Sequence, residues 1–187
     1  MEQSKVKPII DHWLERLAPY CERIEAAGSY RRGKDEVKDI DLVAIPKIQT
    51  ELDLFGLPGT QINLLEVAMQ RMFWDREYLA TIKSGPRMRQ ILTHEKIHLE
   101  LWMVTPPAEW GVIYLIRTGP ADFGHWCVTT KSKGGTLPSY LRFDGGAIWH
   151  NKTKIETPEE ADVFKILGME YIEPGERRAG WREIEHG

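Results

Sequence analysis

The sequence predicts an α+β fold: a mixed sheet flanked by helices, followed by a smaller α/β lobe. Three observations predict it. Segments 39–45 and 96–104 alternate apolar and polar residues with the period of two that marks strands. Segments 5–22, 61–74 and 108–117 carry apolar residues at helical spacing. Pro106-Pro107 then breaks the chain into a larger part, 1–105, and a smaller one, 106–187.

The elements follow in order. Val6, Ile9, Ile10, Trp13, Leu14 and Leu17 form one stripe and predict an amphipathic helix over 5–22. A short strand over 23–27 leads into Gly28-Ser29. Asp39-Ile-Asp-Leu-Val-Ala-Ile45 alternates and then turns wholly apolar, as a buried strand does, and Pro46 stops it. Gly56, Pro58 and Gly59 make 47–60 a loop, and Ile62, Leu65, Met69, Met72 and Phe73 make 61–74 a helix. Strands 78–83 and 87–93 are joined by Ser84-Gly85-Pro86. On 96–104, Ile97, Leu99, Leu101 and Met103 share one face, and His98, Glu100 and Trp102 the other. Helices 108–117 and 120–131 come next, then a hairpin over 139–150 turning at Asp144-Gly145-Gly146. Thr157-Pro-Glu-Glu160 reads as a helix start with a Thr cap, and Gly168 as its end.

Composition bounds the function. With 187 residues, 42% hydrophobic and 28% charged, the chain can bury a substantial core. No stretch approaches the roughly 20 apolar residues of a membrane span, and Met1-Glu2-Gln3-Ser4-Lys5 opens no apolar leader, so a cytoplasmic protein with no membrane partner is expected. Cys21 and Cys127 lack metal-type spacing and are read as free thiols. The net charge of −3 weighs against a nucleic-acid binder, unless acids cluster at a metal site while bases line a groove.

Chemistry concentrates in Gly28-Ser29-Tyr30-Arg31-Arg32-Gly33 followed by Asp39-Ile40-Asp41-Leu42-Val43. A Gly-Ser turn offers backbone N–H groups and a hydroxyl to phosphate oxygens, and Arg32 can add a charge-assisted contact. On a strand, Asp39 and Asp41 point to one face about 7 Å apart. Carboxylates so placed can converge on two Mg²⁺ ions about 3.5–4 Å apart, for which Mn²⁺ can substitute. Alone, Asp-x-Asp is common on a solvated edge, and the Gly-Ser-x-Arg-Arg-Gly run could be a surface turn. The joint pattern is far rarer, because chance would have to place two charges on a core-like strand.

In order and spacing these motifs resemble the palm of the X-family DNA polymerases, the group of DNA polymerase beta within the nucleotidyltransferases. The likeness extends to Lys96-Ile-His-Leu-Glu-Leu101, Thr105-Pro-Pro-Ala-Glu-Trp-Gly111, Arg117-Thr-Gly119 and Tyr171-Ile-Glu-Pro-Gly-Glu-Arg177, roughly residues 20–178. It implies a nucleotidyltransferase palm over 1–105 and a thumb-like lobe over 106–187. Residues Gly28, Ser29, Arg32, Thr118 and Gly119 would hold a nucleoside triphosphate. Asp39 and Asp41 would bind both metals, and a third carboxylate the catalytic one. The family places Asp there; counting back from Pro106-Pro107 puts Glu100 in its place, counting from Lys96-Ile97 puts His98 there, and a hard cation's preference for carboxylate oxygen favours Glu100. The beta-type aromatic pair before Thr-Gly is replaced by Ile116-Arg117, which leaves sugar selectivity open and Arg117 as either a phosphate contact or a surface residue. Only 27 residues precede the Gly-Ser motif, so the family's lyase and helix-hairpin-helix modules are not expected.

Arg31, Lys34, Lys83, Arg87, Arg89, Lys131 and Lys133 are the cations expected to follow a DNA backbone. Three functions are in view. The first is DNA synthesis on primer-template or gapped DNA, in short-gap repair or replication. The second is nucleotidyl transfer to a protein, RNA or small-molecule acceptor. The third is a non-catalytic nucleic-acid-binding module.

Overall fold

The computed structural model describes residues 1–52 and 57–178 and has the mixed architecture expected of the sequence. Helix α1 (Gln3–Leu17) gives way at Pro19 to a 3-10 turn, because proline has no N–H for the helical ladder, and the chain enters β1 (Cys21–Ala26). A single helical turn, α2 (Gly28–Arg31), precedes β2 (Asp39–Pro46). Then come β3 (Ile48–Leu52), β4 (Pro58–Asn63), α3 (Leu64–Trp74), β5 (Ala80–Gly85), β6 (Met88–Leu92) and β7 (His98–Met103). The remainder comprises α4 (Trp110–Thr118), α5 (Ala121–Val128), β8 (Leu141–Asp144), β9 (Ala147–His150), β10 (Thr153–Ile155) and α6 (Glu160–Leu167).

The central sheet has the order β1-β2-β7-β6-β5. It is antiparallel except between β2 and β7, which run parallel. Its two faces separate by residue parity. Ile40, Leu42, Ala44, Leu99, Leu101 and Met103 pack on α1 and α3, whose stripes are Val6, Ile10, Trp13, Leu17 and Leu65, Ala68, Met69, Met72. On the other face Val43 and Ile45 pack on Trp110, Ile113 and Tyr114 of α4. β2 is therefore apolar from Leu42 onward because both of its faces are covered there. Asp39 and Asp41 share the α4 face but precede the part that α4 covers. Helix α4 also sends Val112 and Leu115 into the second core with α5, β8, β9 and α6, so it belongs to both lobes.

Several expectations differ from the structure: the helix expected over 5–22 ends at Leu17, and the one expected over 61–74 starts at Leu64. The segment 47–60, expected as a loop, holds the antiparallel ribbon β3–β4. Every residue of β3 is exposed, so no apolar alternation reports it; residues 53–56 lie outside the described part. The helix expected over 120–131 ends at Val128, where Thr129 turns its hydroxyl back onto the His125 carbonyl at 2.7 Å. The cap of α6 is Glu159, in a reciprocal capping box with Asp162. Thr157, expected as the cap, is buried and donates to the Ala108 carbonyl at 2.8 Å. Gly168 ends α6 in the left-handed conformation as expected (φ 71°). Among the described residues no helix is long and apolar enough to cross a membrane. Cys21 and Cys127 are free and buried, and burial pushes their thiols up to about 11 and about 12, out of the reactive range.

The junction between α4 and α6 yields a stability test. The Gly111 N–H donates to the Thr157 carbonyl at 2.8 Å, and a β-carbon at Gly111 would overlap the Glu159 carbonyl. Gly111→Ala should destabilise the fold by about 1–3 kcal/mol through overpacking, read as a lower midpoint in urea.

Candidate active site

The site begins where β1 hands over to β2. The Ala27 N–H donates to the Asp41 carbonyl at 2.8 Å, so the chain turns directly beside Asp41. Gly28 has φ +62°, and a β-carbon there would overlap the Asp41 carboxylate; backbone angle and close approach both demand glycine. The Ser29 hydroxyl is buried next to this turn and has no hydrogen-bond partner. A buried, unsatisfied hydroxyl costs about 1–3 kcal/mol, so its retention here favours a ligand that bonds it.

The parallel register of β2 and β7 separates the two candidates for the third position. Asp41 stands opposite Glu100, whereas His98 stands opposite Asp39 and is exposed. Glu100 is held by two neighbours. Gln90, opposite it on β6, donates to Glu100 Oε1 at 2.9 Å, and the Trp102 indole N–H approaches Oε2 at 3.4 Å. Among the described residues no three His, Cys, Asp or Glu side chains are drawn together tightly enough to hold a metal as they stand.

Electrostatics record the crowding. Burial, followed by the charges of Asp39 and Glu100, raises Asp41 from the ordinary 3.8 to about 7, although Arg117 and Arg32 work the other way. A group so poised at neutral pH fits a site that binds divalent cations, which would relieve the same repulsion. Arg32 is partly buried, which lowers its pKa, while Asp41 and Asp39 favour its charge. It donates to the Thr118 carbonyl and lies 3.0 Å from where a β-carbon of Gly119 (φ +68°) would stand. The Thr118-Gly119 turn is thereby pinned against the Gly-Ser turn, and the five residues expected at the triphosphate lie together.

The expected DNA cations do not share one fate. Arg31 is turned inward: it donates to Thr118 Oγ1 at 2.7 Å and Glu160 at 2.8 Å, and stacks 4.0 Å over Tyr114. Arg89 is buried and paired with Glu66. Arg87 is paired with Glu109 at 2.8 Å and donates to the Gly145 carbonyl. A protein carboxylate already pairs with each of these three guanidiniums, and of the three only Arg87 keeps a largely open side chain, 42% exposed. Lys34, Lys83, Lys131 and Lys133 are exposed. The Arg31 partner Glu160 is a hub that sequence reading missed, since it also takes Arg177 at 2.7 Å and a hydrogen bond from Tyr171 at 2.9 Å. Burial alone would raise the Glu160 carboxyl, but the hydrogen bonds and charges of Arg177 and Arg31 bring it below its ordinary value.

Residues 87–178 match the family model described as DNA polymerase beta thumb. The match starts on β6, so it takes in Gln90 and Glu100 as well as the second lobe. Over 171 residues the chain is 27% identical to DNA polymerase lambda of Rattus norvegicus, an alignment covering 81% of this chain. The chain is related to the X-family DNA polymerases. It spans 28% of the length of that lambda relative. X-family kinship implies divalent-metal use in general terms, and the donor set fits it: three carboxylates on one sheet face beside an unpartnered hydroxyl.

Two outcomes follow for this site. Between pH 3.8 and about 7 the folded chain keeps the Asp41 proton that the unfolded chain has released, so stability falls as pH rises through that window. Asp41→Asn removes the penalty. In EDTA its melting temperature should exceed that of the wild type at about pH 8 and approach it at about pH 5. Glu160→Ala removes the carboxylate partner of Arg177, whose side chain is 0% exposed, and of Arg31. It should cost about 3–5 kcal/mol in a denaturant titration, as the loss of one partner of a buried ion pair does.

Proposed function

We propose that the chain is a DNA polymerase of the X-family kind, which adds dNMP from a dNTP to the 3′-hydroxyl of a DNA primer. The observation that carries this reading is the register of Asp41 against Glu100, directly beside the Gly28-Ser29 turn with its unpartnered hydroxyl. Asp39, Asp41 and Glu100 would hold two Mg²⁺ ions, which when bound activate the primer hydroxyl and stabilise the leaving pyrophosphate.

The chain's own residues do the rest. The Ser29 hydroxyl and the Arg32 guanidinium grip the triphosphate, and the Thr118-Gly119 turn closes the pocket from the second lobe. Glu100 accepts the primer hydroxyl proton as the 3′-oxygen bonds to the α-phosphorus and pyrophosphate departs. To do so its carboxylate turns away from Gln90. Lys34, Lys83, Lys131 and Lys133 remain for the DNA backbone. So thin a set predicts modest affinity that falls steeply with salt, and suits work at short gaps in repair or replication.

One observation favours a rival acceptor. Three of the cations expected on a DNA path are consumed inside the protein, and the net charge is −3. The same nucleotidyl chemistry on a protein, an RNA or a small molecule would need no basic groove.

The test is extension of a labelled primer across a one-nucleotide gap, each dNTP supplied singly with Mg²⁺, with Asp41→Asn in parallel. Template-matched addition that drops at least about 100-fold in the variant supports the reading. Addition blind to template makes it a terminal transferase. No addition, with nucleotide-dependent Mn²⁺ binding intact, transfers the activity to another acceptor; no Mn²⁺ binding either leaves a non-catalytic module.

A further inference from the structure

Arg117 takes no part in the mechanism above, yet it is placed beside the carboxylates. It sits in the last turn of α4, with its guanidinium carbon 3.6 Å over the Trp102 ring. Trp102 is two residues beyond Glu100 on the same face of β7, and its indole N–H points at Glu100 Oε2. The Arg117 Nε is buried and has no hydrogen-bond partner. Burial pulls the guanidinium below its ordinary range, and the charges of Asp41 and Glu100 are what oppose that pull.

The way this cation is held differs from its neighbours. Arg31 and Arg32 are tied to Thr118, Arg87 to Glu109 and Arg89 to Glu66. Arg117 is held by an aromatic face and by the field of the carboxylates, with no ion pair to a described residue. Stacking of this kind contributes about 0.5–2 kcal/mol, little enough to be given up. A cavity of about 290 Å³, walled by Trp102, Ile113, Ile116 and Phe143, adjoins it, so the side chain is not packed on every side.

We propose that Arg117 is a resident counter-ion of the Asp41–Glu100 pair, which competes with divalent metal for those carboxylates and yields when a nucleoside triphosphate arrives. This rests on the two-metal reading of the site. Two guanidiniums, Arg32 and Arg117, against three carboxylates cut the charge of the empty site from about −3 to about −1, so a metal ion alone gains less by entering. A triphosphate makes the site strongly negative again, and Arg117 turns from the carboxylates toward it. Metal and nucleotide therefore load together, and the site does not fill with metal beforehand.

Two measurements test this. The first is Mn²⁺ affinity by electron paramagnetic resonance, with and without a non-hydrolysable nucleoside triphosphate. Arg117→Met should tighten nucleotide-free Mn²⁺ binding about tenfold, the scale of removing one unit charge from a partly buried site. Its advantage should shrink when the nucleotide is present, and Arg117→Lys, which keeps the charge, should bind Mn²⁺ as the wild type does. Unchanged or weaker binding by Arg117→Met overturns the proposal. The second is a cycle of melting temperatures in EDTA with Arg117→Met, Glu100→Gln and the double variant. Coupled shifts support the counter-ion role and additive shifts overturn it, whether or not the chain binds metal. Mn²⁺ binding absent from the wild type even with the nucleotide present, with coupling observed, would sink the two-metal reading and with it the competition, leaving only a structural ion pair.

Discussion

The parallel pairing of β2 with β7 is the constraint from which the rest of the site follows. Parallel neighbours cannot be joined by a tight turn, so the chain leaves β2, builds β3, β4, α3, β5 and β6, and returns as β7. That excursion lays α3 on one face of the sheet and leaves the other for α4. Because residue parity is shared across the pair, Asp41 and Glu100 emerge side by side on the α4 face, at the end that α4 does not cover. The electrostatic cost of that placement is visible in Asp41, whose carboxyl is pushed to about 7. The surrounding cations are the fold's answer to this crowding.

Those cations join the two lobes. Arg31 and Arg32 leave the turn beside Asp41 and take hold of Thr118, at the end of α4. Arg31 continues to Glu160 on α6, which also holds Arg177 and Tyr171 near the end of the described chain. Arg23 adds a second tie, with its guanidinium on Glu159 at 2.7 Å and 4.1 Å over the Trp110 ring. A shift of the second lobe would thus be felt at the Gly28-Ser29 turn through half-buried guanidinium forks, which transmit displacement better than a solvated lysine would.

What the sequence could report follows from this geometry. Strand parity is written in single residues, so the Asp39–Asp41 face and the His98–Glu100–Trp102 face were legible, as was the Gly-Ser turn. Which of His98 and Glu100 stands opposite Asp41 was not, because it depends on the register of two strands separated by more than fifty residues. Neither were the fates of Arg31 and Arg89. A guanidinium reads the same whether its partner is a phosphate or a buried carboxylate, and Glu160 and Glu66 are distant in sequence. The β3–β4 ribbon left no trace because nothing on it is buried. Apolar periodicity reports which face is covered, and it is silent where pairing alone makes the structure.

Among the described residues five buried side-chain polar atoms lack a partner: Ser29 Oγ, Arg89 Nε, Thr93 Oγ1, Trp110 Nε1 and Arg117 Nε. Arg89, which is paired with Glu66 through its other nitrogen, and the Thr93 and Trp110 positions lie within the packed body of the fold. Ser29 and Arg117 instead flank the carboxylates, one on the turn beside Asp41 and the other on the Trp102 face beside Glu100. Each carries a cost of about 1–3 kcal/mol that packing does not recover. Local strain of this kind is tolerated where bound ligand can relieve it. A nucleotide with oxygens for the Ser29 hydroxyl and negative charge for Arg117 would satisfy both atoms at once. Under the proposed function the fold would be less favourable at this end when empty than when loaded, and that difference would help to drive nucleotide binding.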